Sequence, residues 1–294
     1  MSDVLALTVL SEADWTARQL AHERRVDHLV RGHLDRRRRG IKHPVEDFLF
    51  TYYSLRPAQL RRWHPGAGVT LAGDAPHAGW RGYVRTDRGV TIDAGFIGQR
   101  AEALGWVRDL LAATATRPAF TGCLGLHEWA MVYRADEVRH EAWPLRLGQS
   151  GTDAVVERHQ IRCSHFDAFR FFTGDAVPRN ALQPSRGRQL ELEQPGCLHA
   201  NMDLYKWAYK LTPIVPSELV VDAFELAREI RELDMRASPY DLTDLGYEPI
   251  KIETVEGTRQ YIEAQRSFAE RSAPIRAGLI AECYRLLGKV TGPA

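Results

Sequence analysis

Residues 217–236 read SELVVDAFELAREIRELDMR. Leu219, Ala223, Leu226, Ile230 and Leu233 recur at steps of four and three, which places them on one face of a helix of about five turns. Ser217, after Pro216, is the expected N-cap. Pro239 ends the helix at Arg236-Ala237-Ser238, because the residue before a proline avoids the α region. Helical spacing of this kind recurs over 99–115 and over 255–288, the latter as one long helix or as two kinked near Pro274. Ser11-Glu12-Ala13-Asp14 fits a capping box for a helix running to about Arg39 and closed by Gly40. Its thin stripe of Leu20, Leu29, Val30 and Leu34 predicts a surface position. Between the breaks at His43-Pro44 and Arg56-Pro57, the aromatic run Phe48 to Tyr53 predicts a short buried helix.

Residues 67–98 have a different texture. VTLAG (69–73), GYVRT (82–86) and GVTIDAGF (89–96) are short β-type runs, and Asp87-Arg88-Gly89 makes a hairpin turn. They predict a small antiparallel sheet. Asp153 to Cys163 is a further strand candidate, and RQLELE (188–193) alternates like an edge strand or an extended loop. The expected class is mainly α with a small antiparallel β element (α+β), in a single globular domain over 1–294. A basic helical region (1–66) and the β element (67–98) precede a helical core (99–294) that carries the site.

Bulk properties narrow the function classes. The 294 residues contain no apolar run of the roughly 18–20 residues that cross a bilayer. Asp3 stands where a signal peptide is basic, so a cytoplasmic protein with no membrane partner is expected. Cys123, Cys163, Cys197 and Cys283 lack CxxC spacing, so neither a zinc knuckle nor a disulfide framework is expected. The net charge of +1 conceals segregation. Residues 31–64 hold nine basic and three acidic side chains, whereas 191–294 hold twelve and seventeen. Arg36, Arg37, Arg38, Arg39, Arg61 and Arg62 are therefore candidate phosphate contacts, with a solvated helix end as the bland alternative.

Chemistry concentrates between Gly122 and Trp207. Five of the eleven histidines and three of the four cysteines lie there, among carboxylates, arginines and aromatics, a mixture suited to a buried polar site. Ser164 to Thr173 reads as a helix with His165, Phe169 and Phe172 on one face and Asp167 beside Arg170. Asn201 to Lys210 reads as another, with Asp203 and Trp207 at i, i+4 and Asn201 and Tyr205 on the next face. His199 stands at its start, either aimed into a pocket or merely packed. Arg179, Asn180, Gln183, Arg186 and Gln189 form a donor-rich loop that clamps a phosphate or simply connects. His127-Glu128 and His140-Glu141 are HE pairs without HExxH spacing. A metal, if present, would use His127, His165 and His199 with a carboxylate. There is no GxGxxG, Walker or GxSxG motif, and no cofactor is expected.

Five segments carry a family resemblance: GLHEWAMVYR (125–134), RHEAWPLRLG (139–148), HFDAFRFFT (165–173), EQPGCLHANMDLYKWAYKL (193–211) and DMRASPYDL (234–242). They resemble bacterial, mainly actinobacterial, proteins that carry the name 3-methyladenine DNA glycosylase, over about Lys42 to Leu287. The chain has no LPGVG-type hairpin followed by an Asp, so no catalytic residue is carried over from helix-hairpin-helix glycosylases. The resemblance implies a hydrolase of base-excision repair, an N-glycosylase that removes alkylated purine from DNA. Such an enzyme flips the base into an aromatic pocket and sets a carboxylate against the developing oxocarbenium. Glu128, Asp167 and Asp203 are the candidate carboxylates. Trp129, Tyr133, Tyr205 and Trp207 are candidate stacking residues. His127, His165, Arg179, Asn180, Arg186, His199 and Asn201 complete the candidate substrate-binding set. The competing expectation is a metal-dependent or polar-site enzyme acting on a small molecule through the His/carboxylate cluster. A non-catalytic nucleic-acid or protein-binding module is the third.

Overall fold

Ser11 caps the first long helix: its Oγ accepts from the Asp14 N–H at 3.2 Å and donates to the Asp14 carboxylate at 2.7 Å. The chain thereby turns from β1 (Thr8–Leu10) straight into α1 (Glu12–Arg38), which closes at Gly40 with φ 69°. Short elements follow: α2 (Phe48–Thr51), α3 (Pro57–Leu60), β2 (Val69–Leu71), β3 (Tyr83–Thr86), β4 (Gly89–Ile92) and α4 (Ala94–Gly98). Then α5 (Ala101–Ala115), α6 (Leu126–Ala130), α7 (Gly148–Arg158), α8 (Phe166–Phe169) and α9 (Gln189–Leu192) lead into α10 (Leu198–Lys210), α11 (Ser217–Arg236) and α12 (Val255–Val290). This computed structural model describes residues 8–135 and 143–290. The His140-Glu141 pair and the first seven residues lie outside the described residues.

Helices α10, α11 and α12 pack on one another, and α5 packs on α12. Ala223, Leu226, Ile230 and Leu233 of α11 are buried as their spacing requires. Each large apolar side chain so buried contributes about 1.5–3 kcal/mol. A single apolar cluster runs from Val26 in α1 to Leu286 in α12, so the described residues share one main core. Ser217 does not cap α11. Pro216 holds that position, and the Ser217 Oγ instead accepts from the His64 N–H at 2.8 Å, stitching the helix start to the loop after α3. Residues 255–290 form one helix with Pro274 inside it. On α1, Trp15, His22, Val26 and Val30 face inward while Leu20 is exposed. Arg25 fastens that helix to α11 through Glu225 and Asp222. Among the described residues no helix is long and apolar enough to cross a membrane.

The sheet runs in the order β1-β2-β4-β3. The hairpin β3–β4 forms as expected, antiparallel, with β2 antiparallel on β4. Gly89 has φ 128°, and a Cβ there would stand 2.1 Å from the Leu71 carbonyl oxygen, so only glycine fits this approach. The sheet is nevertheless mixed, because β1 joins β2 in parallel. Parallel pairing needs a long crossover, and α1 supplies it.

Two strand expectations fail. Asp153 to Cys163 is largely α7, whose Val155 and Val156 are buried; tertiary burial overrides the β-branched preference. RQLELE is a 3-10 turn followed by α9, held at helical spacing by Arg188 to Glu191 (2.9 Å) and Gln189 to Glu193 (3.0 Å). The helix expected from Ser164 to Thr173 shortens to the single turn α8, after which i→i+3 bonds from Phe171 and Phe172 tighten and end it.

Trp15, Trp63, Leu71 and Val90 make a second core between the sheet and α1. His64 is buried beside it, its Nδ1 2.9 Å from the Tyr83 hydroxyl, and burial pushes its pKa down to about 3 from an ordinary 6.5. A depressed histidine adds stability that is complete above the unfolded value and is lost as pH falls towards the folded one. Unfolding free energy should therefore drop by up to about 1.4 kcal/mol per pH unit below about pH 6.5 on account of this group. His64→Phe should flatten that slope in urea titrations; parallel slopes for the two proteins would refute the assignment.

Candidate functional site

Helix α10 is buried on every side from Leu198 to Ala208, yet it carries His199, Asn201, Asp203 and Lys206. Such groups must be partnered inside the protein. Asp203 Oδ1 accepts from the Tyr53 hydroxyl at 2.7 Å, and Oδ2 faces His165 Nε2 at 3.2 Å and accepts from the Lys206 ammonium. Lys206 also donates to Asp167 Oδ2 at 3.0 Å, and Asp167 Oδ1 pairs with Arg170 Nε at 3.2 Å. Glu193 lies 3.6 Å from His165. Burial alone would raise the Asp203 pKa, but Lys206 and His165 hold it well below the carboxylate range. Burial alone would lower those of Lys206 and His165, but the facing carboxylates raise both.

A second group joins α6 to α11. His127 Nε2 lies 2.8 Å from Asp234 Oδ1, and Arg231 donates to Asp234 Oδ2 at 3.1 Å and to Glu128 Oε1 at 2.8 Å. Burial would raise the Asp234 pKa, but His127 holds it low. His199 links the two groups. Its ring stands edge-on to His127 at 4.3 Å and stacks on His165 at 5.3 Å. Burial, then the neighbouring His127, keeps the His199 pKa far below its ordinary value, so this imidazole is neutral at neutral pH.

Two openings meet at this network. A cavity of about 230 Å³ is walled by Phe48, Tyr52, Phe171 and Met131, with Glu128, Asp167, His199 and Arg231 at its surface. A groove of about 690 Å³ is lined by Arg170, Arg186, Lys206 and Lys210 and by Trp106, Phe166, Trp207 and Tyr209. They share Thr51, Tyr52, Asp167 and Phe171 as a common wall.

The residues singled out in the sequence fall into three sets. Glu128, Asp167 and His199 reach the cavity, and Asp167, Arg186 and Trp207 reach the groove. Asp203, His127 and His165 are buried behind these walls as partners of other groups. The remainder are structural in their contacts. Trp129 donates to the Ala237 carbonyl, Tyr133 donates to Glu157, and Tyr205 is fully buried among aromatics. Asn180 clips the Cys163 backbone from both sides, and Asn201 binds Pro195, Ser272 and Arg276. Arg179 lies over Tyr133. Of the basic N-terminal segment, Arg36 pairs with Glu46 and Asp47, Arg38 with Asp35, and Arg61 with Glu23 and Asp27. Arg62 lies over Trp80, and Arg37 and Arg39 are exposed. The metal set also differs from the expected trio: His127, His199 and Asp234 have ligand atoms within 4.8 Å of one another, whereas His165 Nε2 is turned to Asp203.

Arg231, Asp234, Tyr53, Phe48, Tyr52 and Phe171 were not read from the sequence as site residues. For Asp234 a signal existed. At roughly 100° per residue it falls about 60° from Leu219, at the margin of the apolar stripe of α11. All four cysteines are free thiols. No protein-family profile, curated protein or solved structure matches this chain.

The geometry ranks the carboxylates. Asp203→Asn breaks a buried ion-pair hub and should cost roughly 3–5 kcal/mol in denaturant unfolding. Asp167→Asn, at a side chain 16% exposed, should cost roughly 1 kcal/mol. Equal losses would refute the ranking.

Proposed function

We propose that the cavity receives an alkylated purine flipped from DNA and that the protein hydrolyses its N-glycosidic bond. The observation that carries this reading is the common wall between an aromatic cavity holding a carboxylate and a basic, aromatic groove. At about 30 Å³ per water, 230 Å³ is roughly eight waters' worth of space, enough for a single bicyclic base. Tyr52 and Phe171 line the cavity with aromatic rings, the residue type that attracts a cationic base such as 3-methyladenine, while Phe48 backs Tyr52 by stacking on it and carries the Arg231 guanidinium 3.9 Å over its own ring. Arg186 and Lys210 suit the flanking phosphates, and Trp207 lines the groove beneath Lys206 and Lys210. Of the segments that carry the family resemblance, 125–134, 165–173 and 193–211 contribute residues to these walls.

Glu128 is the carboxylate that suits the chemistry. It faces the cavity and accepts from Arg231 through Oε1. The cationic purine leaves with the electrons of its bond to C1′ and becomes a neutral base. The carboxylate offsets the oxocarbenium charge, orients water for addition at C1′ and takes the water's proton. Asp167 has both oxygens in ion pairs and aims Lys206 and Arg170 at the groove. Asp203 is a positioning residue that acts through Lys206.

Purified protein incubated with methylated DNA should release 3-methyladenine, measured by chromatography. Glu128→Gln, which keeps an acceptor for Arg231 but removes a buried charge pair, should lower the melting temperature and, in protein shown by circular dichroism to be folded, slow release about 100-fold or more. Arg186→Ala should weaken DNA binding and reduce its salt slope by about one. Absence of released base from folded wild-type protein would refute the reading.

A further inference from the structure

We propose that His127, His199 and Asp234 form a binding site for one divalent first-row transition-metal ion. This inference does not rest on the base-excision reading. The three ligand atoms lie within 4.8 Å of one another, and all three residues are buried, at 4%, 8% and 0% exposure. Ligands about 2.1 Å from zinc stand about 3.4 Å apart in a tetrahedron. Two imidazole nitrogens and one carboxylate oxygen form a donor set suited to Zn²⁺, Fe²⁺ or Mn²⁺, and poorly suited to Mg²⁺ or Ca²⁺.

The surroundings support the assignment independently of proximity. His199 makes no hydrogen bond among the described residues, although it is packed against two other histidines. Its neutral imidazole is therefore uncommitted to any described side chain, as a metal ligand must be. Arg231 holds Asp234 Oδ2 and leaves Oδ1, the atom 2.8 Å from His127 Nε2, as the ligand oxygen. That is the outer-shell orientation expected around a metal-bound carboxylate. Asp234 and Glu128 face Arg231 and His127, so an entering cation would take the place of the proton that these carboxylates favour on His127. With three protein ligands, at least one coordination position stays open, as in catalytic rather than structural sites. His199 lines the 230 Å³ cavity that Glu128 also reaches, and with His127 it lines a second void of about 10 Å³. A water on the metal would ionise near neutral pH.

The test uses the full chain stripped with EDTA and titrated with Co²⁺, read by its visible d–d absorption. One Co²⁺ per chain is expected, displaced by Zn²⁺. His199→Ala removes no hydrogen bond and should keep the circular dichroism of the wild type, with a lower melting temperature from the cavity it leaves. Its Co²⁺ affinity should fall at least about 100-fold, since outer-shell changes alone cost 10–100-fold. His199→Gln, closer in volume, serves if the alanine variant melts early. Three results would overturn the site: no absorption from folded wild-type protein, an unchanged titration in the folded His199 variant, or a sulfur-to-cobalt charge-transfer band, which would assign the ion to the thiols of Cys123, Cys163 or Cys197. The readout involves no nucleic acid, so its failure and a failure of base release are separate results.

Discussion

Helix α10 has no solvent face between Leu198 and Ala208, and the architecture of the site follows from that constraint. A helix buried all round is ordinarily apolar all round. This one carries four polar or charged side chains, and leaving any of them unpartnered would cost about 1–3 kcal/mol or more. Three of them draw in different neighbours, and His199 packs between two other histidines. Asn201 recruits Ser272 and Arg276 from α12, Asp203 recruits Tyr53 from the turn after α2 and His165 from the start of α8, and Lys206 reaches Asp167 on α8. Elements distant in sequence are thus fixed around one rod by electrostatics as well as by apolar packing.

The same network separates carboxylates that look alike in the sequence. Asp203 accepts from three groups and faces neither opening, so its charge is committed to holding Lys206 and His165. Asp167 reaches both openings but is shared between Lys206 and Arg170. Glu128 reaches the cavity and is held by Arg231 alone among the described residues. The number of acceptor positions still open, rather than depth of burial, decides which carboxylate can orient water.

Long periodic elements were legible in the sequence because one face of each meets the core. The α11 stripe, the Ser11 cap and the Asp87-Arg88 hairpin are local statements, and the structure repeats them. The misreadings lie where tertiary contact overrides local pattern. Val155 and Val156 read as strand and pack as helix, and the sheet expected to be antiparallel is mixed because β1, distant in sequence, pairs in parallel with β2. In the site, the dense stretch 122–207 located the polar groups but not their roles. Trp129, Tyr133 and Tyr205 were attractive as stacking residues because they are large, yet size is also what fills a core. The cavity instead takes Phe48 and Tyr52 from α2 and the residue after it, which no local pattern connects to Glu128 or His199.

The wall between cavity and groove is built from the least self-sufficient parts of the chain. Thr51 and Tyr52 end the single turn α2, and Asp167 and Phe171 belong to or follow the single turn α8. Helices this short are not stable through their own hydrogen bonds. Their positions must come from outside: the Phe48–Tyr52 stack at 4.9 Å, the Tyr53–Asp203 bond and the Lys206–Asp167 bond. Two of these three restraints end on α10. The rod that is buried on all sides therefore also sets the shape of the opening. A change at Asp203 reaches the cavity wall without touching a ligand, through Tyr53 on one side and through Lys206 and Asp167 on the other. The long helices thus fix the single turns, and the single turns fix the opening.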